Sequence, residues 1–144
     1  METKYSLELN KLSKIYGTGN TEVRAVDNVD MQVKPGEIVL IMGPSGSWKT
    51  TLLSMAGLLL KPTSGMVSVN GLQASMLKEQ QLAALRLRTI GFVFQAYNLI
   101  ASLSARENIE LVMNLAGTKG IKAHQRSSEL LSLLGIEHRA DHLP

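Results

Sequence analysis

The sequence contains no cysteine, and aromatic residues make up only 4% of its 144 residues. The absence of cysteine excludes disulfides and thiolate catalysis and is typical of a reducing compartment. The small number of aromatic side chains leaves few platforms on which nucleic-acid bases could stack. Basic and acidic residues are interspersed, so the net charge of +3 indicates a mixed solvated surface and no nucleic-acid partner is expected.

Long apolar runs are also missing, and none approaches the ~18 residues of a membrane helix. The first four residues, Met1 to Lys4, carry no apolar signal segment behind a basic start. The three histidines are scattered, which disfavours a metal site built on them. With 44% apolar residues, the chain can form the core of one domain. We expect a soluble, cytoplasmic chain.

Alternation of apolar and polar residues predicts a half-buried strand at Tyr5, Leu7 and Leu9. A second strand is predicted over Val23–Val33, after a turn-rich stretch, and a short one within Gly65–Gly71. Two further runs are apolar on both faces, as is typical of central parallel strands, namely Ile38–Met42 and Ile90–Phe94.

Helices are predicted where apolar periodicity meets start and stop signals. A capping box starts one helix at Ser104, and Gly135 is a good left-handed cap for another. The predicted helices cover Thr51–Leu60, Leu77–Arg88, Ser104–Ala116 and Ala123–Leu134.

The stretch GPSGSWKTT, from Gly43 to Thr51, lies between a predicted strand and a predicted helix. This is the context of a phosphate-binding loop, in which backbone N–H groups and the helix N-terminus hold a β-phosphate. Lys49 would neutralise β- and γ-phosphate oxygens, Thr50 would ligate Mg²⁺, and Thr51 would reach the α-phosphate side. The alternative is a glycine-rich turn with a solvated lysine. The candidate binding residues are Gly43, Pro44, Ser45, Gly46, Ser47, Trp48, Lys49, Thr50 and Thr51.

The phosphate loop, the strand after it (GMVSVNG) and the later stretch IGFVFQAYNLIASLSARENIEL together resemble the ATP-binding domain of ABC transporters. The resemblance runs from Tyr5 to Pro144. Within the family, the stretch TEVRAVDNVDMQVKPGE and the Phe-Gln-x-x-Asn-Leu pattern resemble the macrolide-exporter and lipoprotein-releasing type. It implies an α/β P-loop NTPase fold whose N-terminal part has an antiparallel β-subdomain, a P-loop strand–helix core and the start of a helical subdomain. Residues 1–144 would form one incomplete domain of this kind.

The resemblance also implies ligands and partners. The ligands are ATP and Mg²⁺, and the partners are a separate or fused transmembrane transport part and a second ATP-binding domain paired head to tail. Such a domain lies in the cytoplasm, at the inner face of the membrane. Tyr16 matches the aromatic residue that stacks on adenine. It is alternatively a strand-end tyrosine that shields the sheet edge.

Gln95 matches the glutamine that contacts Mg²⁺ and the attacking water and senses the transport subunit. The segment Ala96–Ser104 would then face that subunit, with Tyr97, Leu99 and Ile100 as exposed apolar contacts. Packing of the same three side chains inside the helical subdomain is the alternative.

Trp48 departs from the family pattern, which has glycine at this position. If the position needs φ > 0, a non-glycine residue costs ~1–2 kcal/mol. If the space is full, overpacking costs ~1–3 kcal/mol. Together these costs correspond to roughly tenfold to a thousandfold weaker binding. The indole can also point outward and leave the loop usable.

The chain ends at Pro144, just before family members present the Leu-Ser-Gly-Gly-Gln signature. The acidic strand with its catalytic Glu and the switch His are also absent, and no apolar run ending in Asp-Glu replaces them. We therefore expect weak nucleotide binding without hydrolysis by this chain alone. The competing interpretation is a non-catalytic module that docks on a transport subunit. Another P-loop enzyme, such as a kinase or GTPase, is disfavoured because it leaves Tyr16 and Gln95 unexplained.

Overall fold

The computed structural model describes residues 4–144, which divide into two compact units, one ending at Ile90 and one spanning Gly91–Pro144. The first unit contains strands β1 to β4 and helices α1 and α2, and the second contains helices α3 and α4. No helix within residues 4–144 is both long and apolar enough to cross a bilayer.

An antiparallel four-stranded sheet organises the first unit, in the order β2-β1-β3-β4. Leu9 of β1 pairs with Met31 of β2 on one side and with Val67 of β3 on the other. The predicted antiparallel subdomain is thus present. The strands are β1 Leu7–Tyr16, β2 Val23–Val33, β3 Ser64–Val69 and β4 Leu72–Gln73.

A bulge in β1 decides which of its side chains enter the core. Leu9 and Leu12 are both buried, although strict alternation would place them on opposite faces. Lys11 has φ 45° between them, and the pairing register shifts at this point. The Lys11 N–H donates to the Asp30 carboxylate at 2.8 Å, so the bulged backbone keeps a partner.

Helix α1, Lys49–Ala56, packs its buried Met55 and Ala56 into the core formed by the sheet. The helix was predicted to reach Leu60, but it ends earlier because Leu58 adopts a left-handed backbone, φ 61°. The Leu59 and Leu60 N–H groups both donate to the Ser54 carbonyl and close the helix end. Helix α2, Glu79–Thr89, lies close to its predicted bounds.

The two predicted parallel strands, Ile38–Met42 and Ile90–Phe94, are absent. A parallel strand takes its hydrogen bonds from neighbouring strands, and within residues 4–144 neither segment has such a neighbour. Most of their apolar side chains remain exposed, including Ile38 at 97% and Val93 at 102%. The apolar pattern of these two segments indicates strands buried in a larger sheet. Such a strand forms only where neighbouring strands are present to pair with it.

The second unit pairs α3, Ala105–Leu115, with α4, Ile121–Leu133. The predicted capping box is present: the Glu107 N–H donates to Ser104 Oγ at 3.2 Å, and the Ser104 N–H donates to the Glu107 carboxylate at 2.7 Å. Gly135, φ 71°, follows the end of α4 as predicted.

Candidate functional site

The glycine-rich loop leads directly into α1, whose first residue is Lys49. The sequence predicted this loop to lie between a strand and a helix; the helix is present and begins two residues earlier than predicted, whereas the strand before the loop is not formed. Gly46 has φ 82°, a conformation that suits glycine. The Ser47 N–H and hydroxyl both donate to the Pro44 carbonyl, at 3.3 and 2.9 Å, and close the loop on itself.

The Lys49 ammonium is folded back over this loop. Its Nζ donates to the Gly43 carbonyl at 2.8 Å, the Pro44 carbonyl at 2.7 Å and Ser47 Oγ at 3.2 Å. All three acceptors are neutral oxygens, and the ion pairs found within residues 4–144 do not include Lys49. The positive charge is therefore not neutralised by a carboxylate, and an anion that enters the loop would meet it directly.

Thr50 is exposed in the first turn of α1, and Thr51 behind it is half-buried. In the part of the chain that the structure describes, no three His, Cys, Asp or Glu side chains are grouped so as to hold a metal ion. A cation at this loop would thus depend on the Thr50 hydroxyl and on oxygens of a bound phosphate. This donor set fits Mg²⁺, which usually keeps few protein ligands and binds through substrate phosphates.

Trp48 has left-handed backbone angles, φ 61° and ψ 20°, and caps the N-terminus of α1. The sequence suggested two costs of a non-glycine residue here, strain at positive φ and overpacking of the loop. The structure supports the first, because this position has positive φ. The indole stacks on the ring of Tyr16, with the ring centroids 5.7 Å apart and the planes inclined by 28°. The indole does not keep Lys49 from reaching the Gly43 carbonyl.

Tyr16 ends β1 and is 38% exposed. The stack with Trp48 places its ring beside the start of α1, at the edge of the loop. The Lys14 ammonium lies 5.3 Å from the same ring centroid, within cation–π distance. The structure thus brings together the loop and the aromatic residue that the sequence predicted to serve one ligand.

Gln95 lies in an exposed turn of the second unit. The two residues after this turn, Tyr97 and Asn98, have left-handed backbones, with φ 54° and 51°. Tyr97, Leu99 and Ile100 are exposed by 83%, 52% and 45%. The three side chains are therefore not packed inside the helical unit of this chain, and their contact with a transport subunit stays a prediction.

Asn108 was missed by sequence reasoning. Its side chain accepts from the Ile100 N–H at 2.8 Å and donates to the carbonyls of Ile100, Leu103 and Ser104 at 3.2, 2.9 and 2.9 Å. One amide on α3 thereby fixes the second half of the Ala96–Ser104 segment. The sequence signal is weak, because an asparagine within a helix usually indicates only a polar face.

Replacement of Asn108 by alanine should release this segment. The substitution removes four hydrogen bonds, and we expect a stability loss of ~1–3 kcal/mol because polar groups left without partners add to the cost. Exchange of the Ile100 amide hydrogen should become faster. Asn114→Ala, at an exposed position near the end of α3, is the matched control. Unchanged Ile100 exchange in Asn108→Ala would contradict the role given to this side chain.

The sequence profile of the ABC transporter family matches residues 26–144. The chain is 44% identical over 138 residues to the macrolide export ATP-binding/permease protein of Hyphomonas neptunium, covering 96% of this chain and 21% of that protein. It is 45% identical over 141 residues to an uncharacterized ABC transporter ATP-binding protein of Thermotoga maritima, covering 98% and 60%. It is 41% identical over 138 residues to a lipoprotein-releasing system ATP-binding protein of Caulobacter vibrioides, covering 96% and 60%.

Among solved structures, a dimeric ATP-binding cassette in a post-hydrolysis state bound to ADP and Pi superposes with a TM-score of 0.88 at 37% identity. The superposition covers 96% of this chain and 61% of the cassette. A dimeric bacterial ABC transporter cassette superposes with a TM-score of 0.86, also at 37% identity. The chain thus spans 21% to 60% of the length of the curated relatives named above.

Proposed function

The chain belongs to the ABC transporter family, and we propose that it acts in coupling ATP binding and hydrolysis to export or extraction of a substrate at a membrane. It is part of an ATP-binding component of the macrolide-exporter and lipoprotein-releasing type. The likeness to solved cassettes confirms the predicted fold class, the N-terminal part of a P-loop ABC ATPase. The observation that carries the proposal is the Lys49 ammonium, held over the loop at the start of a helix without a carboxylate partner.

A nucleotide would use this arrangement as follows. The β- and γ-phosphates replace the loop carbonyls as acceptors for Lys49, because hydrogen bonds between charged groups are stronger than those to neutral oxygens. The backbone N–H groups that open α1 add their partial positive charge. The Thr50 hydroxyl would hold Mg²⁺, and the ion would supply positive charge that neutralises the phosphates. Tyr16 would be the stacking surface for a base wherever its ring is free, and Thr51 would lie toward the α-phosphate.

The second unit would provide the connection to transport. Gln95 has a neutral amide, which can orient water and follow a γ-phosphate without adding charge. The exposed apolar side chains at Tyr97, Leu99 and Ile100 suit contact with a transmembrane partner. Such a partner, together with a second ATP-binding domain paired head to tail, would hold the protein at the cytoplasmic face of a membrane. A docking role for this segment alone is the second candidate, and the same exposed side chains favour it.

We expect this chain to bind Mg-ATP without turning it over, because its sequence offers no carboxylate after an apolar strand to polarise the attacking water. Mg-ATP should raise the melting temperature in a concentration-dependent manner, as a ligand that binds only the folded state does. Phosphate release should not exceed that of a Lys49→Ala control purified in the same way.

AMP is the matched ligand control, because it keeps the base and lacks the β- and γ-phosphates. Stabilisation by AMP equal to that by Mg-ATP would show that the loop does not bind the β- and γ-phosphates. Phosphate release clearly above the Lys49→Ala control would disprove the absence of turnover.

A further inference from the structure

Trp48 and Tyr16 form an aromatic pair at the edge of the loop, and no other tryptophan occurs in the sequence. The indole is 42% exposed and Tyr16 is 38% exposed, so the pair lies at the surface next to the phosphate loop. A residue immediately before the helix would ordinarily lie beside the phosphates. In this chain that residue is Trp48, and it contacts the Tyr16 ring, on which a base would stack in the proposed function.

The position of the indole follows from the backbone. Trp48 has a left-handed backbone at the start of α1, and the neighbouring Lys49 still reaches the Gly43 and Pro44 carbonyls. The indole then lies against Tyr16 with the planes inclined by 28°, an arrangement close to parallel stacking. A nucleobase that stacks on Tyr16 needs the same kind of contact, and two rings cannot occupy one face of the tyrosine.

We propose that Trp48 is a specificity-determining residue that occupies the base-stacking face of Tyr16, so that the loop recognises the polyphosphate part of a ligand and not its base. This inference rests on the proposed function, because it takes Tyr16 as the base-stacking residue. It predicts that inorganic tripolyphosphate and ATP, each with Mg²⁺, bind this chain with similar affinity. While the indole covers the Tyr16 ring, stacking of the base on this ring does not contribute to the affinity for ATP.

Calorimetric titration of the full chain with Mg-ATP and with Mg-tripolyphosphate tests the proposal. The informative quantity is the ratio of the two affinities, because obstruction of the phosphate loop affects both ligands and loss of base stacking affects only ATP. In the unaltered chain the ratio should lie near one. In Trp48→Gly it should shift in favour of ATP by about tenfold or more, the range expected for one base on one aromatic ring.

Two variants serve as controls. Trp48→Phe keeps a ring that can stack on Tyr16 and should keep the ratio near one. Tyr16→Ser removes the platform, so that adding Trp48→Gly to it should not shift the ratio. Trp48 emission provides a further readout in the unaltered chain, where both ligands should change it equally because only the phosphate part binds.

The outcomes separate the inference from the function on which it rests. If neither ligand binds any variant, Trp48→Gly included, the proposed nucleotide site is wrong. If both ligands gain equally in Trp48→Gly, the indole obstructs phosphate and the stacking role is wrong. An ATP-specific change in Trp48 emission would show that the base displaces the indole, which also overturns the proposal.

Discussion

Mg-ATP should bind at least tenfold more tightly to Trp48→Gly than to the unaltered chain. The structure identifies where this gain arises. Trp48 has φ 61° in the folded chain, so the backbone strain of a non-glycine residue is counted here as a cost of folding. The gain in affinity comes from the freed Tyr16 ring, since stacking of one base on an aromatic side chain contributes ~1–3 kcal/mol. A tenfold gain corresponds to ~1.4 kcal/mol, within this range.

The same substitution should leave the stability of the unliganded chain almost unchanged, because three effects offset one another. Glycine removes the left-handed strain, worth ~1–2 kcal/mol. It also makes the unfolded chain more flexible, which costs ~0.4–1 kcal/mol. Loss of the Tyr16 stack costs a further ~0.5–1.5 kcal/mol. The net change should therefore lie within about 1.5 kcal/mol of zero, given the sizes of these terms.

Calorimetric titration gives the affinity, and thermal unfolding without ligand gives the stability. Trp48→Asn is a useful companion, since asparagine tolerates the left-handed conformation and carries no ring. It should bind Mg-ATP nearly as well as the glycine variant. Unchanged Mg-ATP affinity in both variants would mean that the indole never hindered the site.

Local signals in the sequence sufficed for much of the fold. The bounds of β2 agree with the predicted Val23–Val33, and β1 pairs with it in an antiparallel ladder closed by a short connection. The capping box at Ser104 and the glycine at Gly135 marked helix ends through contacts within a few residues. Such features can be predicted because the interacting groups are close in sequence.

Features that depend on distant residues were beyond reach of the sequence. Ile38–Met42 has the composition of a buried strand, but a strand forms only where a neighbour accepts and donates its hydrogen bonds. The requirement for positive φ at Trp48 was one of the predicted alternatives, since it follows from the loop pattern. The contact of its indole with Tyr16 was not predicted, because it depends on how β1 and α1 pack together.

Lys49→Ala should weaken Mg-ATP binding by about a hundredfold or more, since it removes charged hydrogen bonds worth ~1.5–3 kcal/mol each. In the unliganded chain the Lys49 ammonium has three neutral oxygens as partners, and no other side chain in the loop Gly43–Trp48 is cationic. Binding of the β- and γ-phosphates therefore depends on this one charge together with the backbone. The measurement is best made in the Trp48→Gly background. The higher starting affinity for Mg-ATP there allows a hundredfold decrease to be measured.

Lys49→Arg is the matched control for charge. It keeps the positive charge but replaces a compact ammonium with a planar fork that does not fit the same position, so an intermediate affinity is expected. Added salt should also lower the Mg-ATP affinity of the protein with Lys49 more steeply than that of Lys49→Ala. The alanine variant lacks one ion pair with the phosphates, so salt has one interaction fewer to screen. If Lys49→Ala retained full Mg-ATP affinity while its melting temperature stayed normal, the phosphates would have to bind elsewhere than in this loop.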